Sequence, residues 1–271
     1  MNIGKLTSAA CVAAVAGISL FTSCRSKSMP SELEENKRQM TLTWIEDKPG
    51  PSVNDRSLFP EVPDSIWDAL GLKDGIPSSM SCFLVQTDGK NILFDTGLGA
   101  PFSQLQSKLS EKGLTVDSID HIFLTHLHGD HIGGMLSDGK AVFPNADVYV
   151  NRVEADAWVN MTDVKGDQAS AVLNAYKDRL HKFEAGDTLD CAIVSIPAYG
   201  HTPGHTVYSI DSILIAGDLM HGVALQNIYP DYCARYDMDK EAAVESRKRI
   251  LQYAKDNNLT LIGMHFPPIS D

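Results

Sequence analysis

Thiols are scarce in this sequence: five cysteines in 271 residues, with no C-x-x-C spacing. Cys11 and Cys24 lie in or beside an N-terminal apolar stretch, leaving Cys82, Cys191 and Cys233. That odd number argues against a disulfide framework and against a thiolate metal site. Cys82 and Cys191 sit in apolar runs and read as small core residues. Basic residues are also in deficit, 23 Lys and Arg against 35 Asp and Glu, for a net charge of -12. So acidic a chain is a poor partner for a polyanion, which counts against nucleic acid. No apolar run reaches the roughly 18 to 20 residues that a membrane-spanning helix needs. Low-complexity segments and short repeats are missing from the core, which leaves roughly 230 residues for one large folded domain.

The N-terminus reads as a targeting segment. "MNIGKLTSAACVAAVAGISLFTSC" has one basic residue, Lys5, then an apolar stretch, then small residues before Cys24. Residues 1–23 are expected to be an export signal. The ending "LFTSC" resembles the lipobox of bacterial lipoproteins, which implies a chain lipid-anchored to the membrane through Cys24 in a bacterial cell envelope, on the periplasmic or outer-membrane face. Residues 24–40 are polar and without apolar period, as a tether would be, and the folded domain is expected over 41–271.

Within that domain, Ser81 to Gly97 is expected to be a hairpin turning at Asp88-Gly89, a dipeptide that tolerates positive φ. "PFSQLQSKLSEKG" places Phe102, Leu105 and Leu109 on one helical face. "HIFLT", "ADVYV", "AIVSIP", "TVYSI", "ILIAG" and "LTLIGM" read as strands, "DKEAAVESRKRILQYAKDNN" as a long amphipathic helix, and Asn151 and Glu154 stand in capping-box register. Strands paired in hairpin and crossover fashion, with helices between, imply α/β sheets covered by helices on their outer faces. Only residues 48–80, rich in proline, lack a clear period; so long a loop is expected to be functional or disordered.

The densest signal is "THLHGDHIGG", Thr125 to Gly134. His126 and His128, two apart at a strand end, project to one side, so both imidazoles converge on one ion while Leu127 faces the core. Asp130 and His131 turn the corner, and Gly133-Gly134 permits close backbone approach. Two ligand pairs result, and further ligands must come from other strand ends. His201 in "YGHTPGH", Asp218 in "ILIAGDLMH" and His265 in "LIGMHFPP" each follow a short apolar run. They complete a set of five histidines and two aspartates.

Asp95 in "FDTG", the His126-x-His128-x-Asp130-His131 cluster, His201, Asp218 and His265 resemble the five sequential motifs of the metallo-β-lactamase superfamily, in order and spacing, from about Ser81 to His265. "GDHIGGM", "VFPNADVYVN", "AGDLMHGVALQ" and "HFPP" are most similar to the methyl parathion hydrolase group. The resemblance implies a four-layer αββα sandwich with metals at one rim, and hydrolysis of lactones, esters or phosphotriesters. It implies that His126, His128 and His201 bind one metal and Asp130, His131 and His265 the other, with Asp218 between them and Asp95 orienting a ligand from behind. His205 is expected to hydrogen-bond within its own turn, His221 is a candidate to face the pocket, and His121 and His181 are ordinary polar residues.

Imidazoles and carboxylates without thiolates suit two divalent ions, zinc first, with Mn2+, Fe2+ or Co2+ compatible. A water shared by two such ions becomes hydroxide near neutral pH and is the expected nucleophile, with Asp130 the catalytic candidate that orients it and passes a proton to the leaving group. A carboxylate at Asp218 sets the chain apart from the β-lactamases proper, and His128 stands where flavodiiron oxidoreductases carry glutamate. A metal-dependent hydrolase of a small-molecule substrate is therefore expected. A non-enzymatic metal-binding surface lipoprotein and a β-lactamase or thioesterase type of hydrolase are the alternatives. Phe59, Trp67, Tyr229 and Tyr232 are the candidate pocket walls, which would favour an apolar-bodied neutral substrate. The sequence stops six residues after His265, where such proteins often continue, so a truncated edge that leaves His265 poorly braced is also an expectation.

Overall fold

The computed structural model describes residues 40–268. The signal, the tether up to residue 39 and Cys24 lie outside the described residues.

In chain order the strands are β1 (Thr41–Glu46), β2 (Ser52–Asn54), β3 (Ile76–Ser78), β4 (Ser81–Thr87), β5 (Lys90–Phe94), β6 (His121–Phe123), β7 (Leu136–Ser137), β8 (Lys140–Ala141), β9 (Asp147–Asn151), β10 (Leu180–Phe183), β11 (Val194–Pro197), β12 (Thr206–Ile210), β13 (Ile213–Ile215) and β14 (Thr260–Ile262). The helices are α1 (Asp64–Leu70), α2 (Leu105–Glu111), α3 (Gly129–Ile132), α4 (Arg152–Val159), α5 (Val164–Ala175), α6 (Val223–Gln226) and α7 (Lys240–Asp256).

Six strands form one sheet, in the order β1-β4-β5-β6-β9-β10, and four form a second, β11-β12-β13-β14. The β4–β5 hairpin turns at Asp88 and Gly89, with φ of 53° and 73°, the primed-turn geometry expected of that dipeptide. From β5 onward the large sheet is parallel, as is the β13–β14 pair. Parallel neighbours bring their carboxyl ends to one rim, so Asp95, His126, Asp218 and His265, each just past such a strand, emerge together.

Side-chain alternation assembles the layers. Phe83, Val85, Phe94, Phe123 and Phe183 of the large sheet meet Tyr208, Ile210, Ile215 and Ile262 of the small one in a core between the sheets. The opposite faces of the large-sheet strands, with Leu84, Leu93, Ile122 and Val148, pack on Leu105 and Leu109 of α2, Ala155 and Trp158 of α4, and Ala169 and Val172 of α5. On the far side Val207 and Leu214 meet Ile250 and Ala254 of α7. Helices, sheet, sheet and helix make the αββα sandwich.

Three local expectations change. Helix α2 starts at Leu105, so Phe102 precedes it and is 43% exposed. The buried Asp47 carboxylate sets that start by accepting from Gln104 N and Leu105 N at 3.1 and 3.2 Å. Residues 48–80 are neither disordered nor a plain loop but contain β2, α1 and β3. Their aromatics turn inward: Phe59 and Trp67, each 1% exposed, pack with Leu58, Val62, Leu72, Ile76, Leu225 and Ala234 in a separate apolar cluster. They therefore do not wall the pocket; the periodicity was hidden because the segment is broken into elements too short to show it.

Candidate metal centre

His126 and His128 follow β6, as alternation requires, and Leu127 between them is buried in the core. His126 Nε2 lies 2.9 Å from His128 Nδ1, which is 3.0 Å from His201 Nε2, carried by the loop between β11 and β12. His128 occupies the N-cap position of α3, which carries Asp130 and His131. His265 Nε2 is 3.4 Å from Asp130 Oδ2 and 3.3 Å from Asp218 Oδ2, and His131 Nε2 is 3.1 Å from Asp218 Oδ1. All seven sequence candidates are thus brought together in two four-residue groups, His126–His128–His201–Asp218 and Asp130–His131–Asp218–His265, with the ligand atoms of each within 4.8 Å of one another. Asp218 belongs to both.

The donors fit divalent cations. Three ring nitrogens of the first group point at one another at hydrogen-bond distance, where neutral imidazoles have lone pairs to share and too few protons to satisfy them. His131 Nε2 and Asp218 Oδ1 are buried without a hydrogen-bond partner, an expensive arrangement that a cation between them relieves. Burial first, and the neighbouring imidazoles after it, hold His126 well below the ordinary imidazole range and His128 at about 3, both neutral and ready to ligate. Burial works the same way on His265, but Asp218 and Asp130 outweigh it and push that imidazole up to about 10; His131 is raised for the same reason, by Asp218 and Asp95.

Three of the candidate ligand imidazoles, His131, His201 and His265, are oriented through their second nitrogen, as metal-binding histidines generally are. Asp95 Oδ2 accepts from His131 Nδ1 at 2.7 Å while its carboxylate also holds Thr125 N and Oγ1 at 2.8 and 2.7 Å. His201 Nδ1 donates to Asp237 Oδ1 at 3.0 Å, and His265 Nδ1 to the Ser79 carbonyl at 3.1 Å. Far from being poorly braced, the 264–266 segment is strapped down: Ser78 Oγ donates to His265 O, and Ser79 Oγ lies 2.8 and 2.6 Å from the carbonyls of Met264 and Phe266. His205 bonds within its own loop as expected, to Ala198 O at 3.1 Å, and in addition accepts from Asp218 N at 3.0 Å, bracing the shared aspartate. His221 does face the cavity, its Nε2 3.0 Å from Asp218 Oδ2. At the opposite ends of the strands His121 is buried and His181 pairs with Asp147 at the surface.

Sequence reasoning missed the buried acids behind the ligands. Asn151 caps α4 as expected, but Glu154 does not complete a capping box. Its Oε1 accepts from Leu127 N at 3.0 Å and Trp158 Nε1 at 2.6 Å; its Oε2 accepts from Thr202 Oγ1 at 2.8 Å and Gly204 N at 2.7 Å. One fully buried carboxylate thereby ties the His126–His128 segment to the His201 loop, and a Cβ on Gly204 would strike the Glu154 backbone. Asp237 is fixed in turn by the buried Arg247 at 3.3 Å. Glu154 four residues before Trp158 was the available signal; for Asp237 there was none. Gly133 and Gly134 do allow close approach, their missing Cβ positions facing the carbonyls of Leu98 and Thr96.

Above the ligands lies a cavity of about 460 Å³, lined by His128, Asp130, His201, Asp218, His221 and His265, with Asn54, Leu58, Lys165, Gln168 and Tyr236 among its walls. Tyr229 and Tyr232 are not among them. Among the described residues no disulfide joins Cys82, Cys191 and Cys233.

Known proteins sharpen this reading. The protein is 25% identical over 189 residues, 65% of this chain and 79% of that one, to the uncharacterized protein YobT of Bacillus subtilis (strain 168). It is 28% identical over 138 residues to a hydroxyacylglutathione hydrolase of Photobacterium profundum, covering 51% of this chain and 45% of that enzyme. Among solved structures, the hydrolase AbOPH of the β-lactamase superfamily superposes with a TM-score of 0.76 at 28% identity, covering 84% of this chain and 87% of the other. AidC, a dizinc quorum-quenching lactonase solved with its product N-hexanoyl-L-homoserine, gives 0.74 at 29%, covering 84% and 88%. Residues 75–257 match the family model of the metallo-beta-lactamase superfamily, and with the αββα sandwich and its His/Asp rim the chain belongs to that superfamily as a metal-dependent hydrolase.

Proposed function

We propose that the protein hydrolyses lactones or esters with two divalent ions, zinc first, one held by His126, His128 and His201, the other by Asp130, His131 and His265, with Asp218 shared. The observation that carries this is the sharing itself: one buried carboxylate standing in both ligand groups at the floor of an open cavity. A lactonase described as dizinc and 29% identical over 84% of the chain supports it. So does the resemblance of its sequence motifs to those of the methyl parathion hydrolase group. A cavity open above the ligands favours catalysis over a structural or sequestering role, whose sites are usually closed. Phosphotriesters remain a chemically equivalent target, since the polarised oxygen can be carbonyl or phosphoryl.

When bound, such a pair of ions activates water as a nucleophile and polarises the bond under attack. The chain's own residues do the rest. Asp130, partly exposed to the cavity and kept well below the usual carboxylate range because His131 and His265 outweigh its burial, accepts a hydrogen bond from the attacking water, takes up the proton that water loses on attack, and passes that same proton to the departing oxygen. His221 presents its ring at the same face of Asp218, and Leu58, Met80 and Tyr236 shape the space for the substrate body.

Elemental analysis of the purified protein, followed by rates on a lactone, an aryl ester and a phosphotriester, tests the reading. Two ions per chain and turnover of the lactone or ester are expected; a folded, metal-loaded protein inert to all three would overturn it. The export and Cys24 anchor reading is part of the same proposal for residues 1–40, and a palmitate-analogue label that persists in Cys24→Ser would remove it.

A further inference from the structure

We infer that the non-reacting end of the substrate carries a carboxylate, and that Lys165 and Arg235 receive it in a second cavity beside the metal centre. This rests on the hydrolase reading above and adds the charge of the substrate to it.

Two cavities meet at His128. The smaller, about 230 Å³, shares His128, Lys165 and Tyr236 with the larger, so the two are adjacent and a substrate reacting over Asp218 would extend past Lys165 and Tyr236 to reach it. Its floor is apolar, built from Trp158, Met161 and the half-exposed Met238. The Trp158 ring that forms part of that floor stands edge-on to His128 at 5.2 Å, which places the second cavity directly behind the reacting end.

Charge decides what the cavity takes. Two acids face it, and both are engaged: Asp237 lies between His201 and the buried Arg247, at 3.0 and 3.3 Å, and Asp163 caps α5 by accepting from Gly166 N at 2.9 Å. Elsewhere Lys73, Lys90, Lys108, Lys182, Lys240 and Lys248 each have an acid partner, while Lys140, Lys177 and Lys255 form no ion pair among the described residues, so it is the place of Lys165 and Arg235 at the cavity that sets them apart. Among the described residues neither Lys165 nor Arg235 forms an ion pair. Asp55 acts on Arg235 only from a distance, and its carboxylate is taken up by Ser57 N at 2.8 Å. The Arg235 guanidinium instead lies 5.4 Å from the Tyr236 ring centroid, with a nitrogen 3.5 Å from Tyr236 Oη, an arrangement that keeps it at the cavity mouth. In a chain of net charge -12, two such cations lining the smaller cavity, Lys165 on the wall it shares with the reaction cavity, form a local field that draws an anion. An apolar floor with a cationic rim fits an acyl chain a few carbons long that ends in a carboxylate, contrary to the neutral substrate expected from the loop aromatics.

The test compares 4-nitrophenyl hexanoate with the 4-nitrophenyl half-ester of adipic acid, equal in length and different at the distal carboxylate, on metal-loaded wild type and on the Lys165→Ala/Arg235→Ala double variant. Two exposed charge contacts predict a KM roughly five- to tenfold lower for the half-ester, a preference that shrinks at about 0.5 M salt and collapses to parity in the double variant. Calorimetry supplies a readout besides turnover: adipate should bind wild type more tightly than hexanoate, with the difference gone in the double variant. Turnover of the hexanoate ester with an equal or lower KM, or a preference that survives the double substitution, would overturn the inference. If neither ester turns over, the hydrolase reading is what fails, and calorimetry still decides this one: adipate binding no more tightly than hexanoate to wild type overturns it.

Discussion

The two ligand groups that share Asp218 are braced by different physics. Behind His126, His128 and His201 stand buried charges: Glu154, with four donors and no cation, and Asp237, held by Arg247. Behind His265 stand neutral groups, the hydroxyls of Ser78 and Ser79 on backbone carbonyls, while His131 leans on Asp95. The first brace is a side chain reaching between loops of the two sheets; the second is largely a strap of chain from the end of β3 and the link to β4, laid against the segment after β14. Protonation follows the same division. His126 and His128 are neutral, whereas His131 and His265 lie against carboxylates that hold protons on them. A metal meets no proton to displace on His126 and His128 but must displace protons from His131 and His265.

The largest break in this comparison is Asp218→Asn, which should affect both groups at once. An amide in place of the shared anion leaves two dications less screened from each other, and activity should fall by roughly 10²–10³-fold or more. Metal content below one ion per chain with circular dichroism unchanged is the expected result; near wild-type rates would refute the shared-carboxylate arrangement.

Next in size are single ligands. His201→Ala should cost the first ion and His265→Ala chiefly the second, each leaving about one equivalent by elemental analysis. The proton difference sharpens this contrast. His265 is raised to about 10, so near pH 7 it carries a proton in the metal-free protein. Apparent affinity at the second group should therefore rise with pH, by up to about tenfold per unit for each proton displaced, until pH passes the raised value. His128, at about 3, imposes no such dependence over the same range. Zinc titrations of metal-free His201→Ala and His265→Ala at pH 6 and 8 measure both slopes, and equal slopes would erase the distinction.

Much of this was legible in the sequence, and the reasons are local. The strands ending near His126, Asp218 and His265 are short apolar runs emptying into polar residues, and H-x-H-x-D-H compresses four candidate ligands into six positions, so the candidates and their place at one rim could be read from strand ends and alternation, and their grouping from the family resemblance. The braces were not legible. Glu154 lies in "NRVEADAWV", where a helix-start glutamate has the same appearance whether it caps its own helix or reaches a neighbouring strand end; only packing against the His201 loop decides. The 48–80 segment hid its elements because β2, β3 and α1 are three to seven residues long, below the length at which periodicity shows.

Glu154→Gln tests the charged brace. The amide keeps one oxygen and presents an NH2 to two of the four donors, leaving them unpaired at a cost of about 1–3 kcal/mol each. Metal affinity at the first group should fall roughly 10–100-fold, as for other partners that orient ligands from behind, while the second group holds its ion. Chelator competition separates this from general destabilisation, which would release both ions together.

The smallest effect at the site is expected from Trp67. Its ring is 1% exposed, donates from Nε1 to Val62 O at 3.2 Å, and lies under the Arg56 guanidinium at 5.2 Å and beside Phe59 at 6.3 Å. It supports the wall that carries Leu58 and Asn54 without touching the cavity itself. Trp67→Phe removes ring volume and one buried hydrogen bond, for a loss of about 1–3 kcal/mol in stability. Both ions should stay bound, because none of these contacts reaches the groups around Asp218. The ratio of rates on a lactone and an aryl ester should move by less than about twofold. A larger shift in that ratio with metal content intact would mean that the β2–α1 segment opens during turnover and brings Trp67 to the substrate, and that the wall, rather than either ligand group, selects what is cleaved.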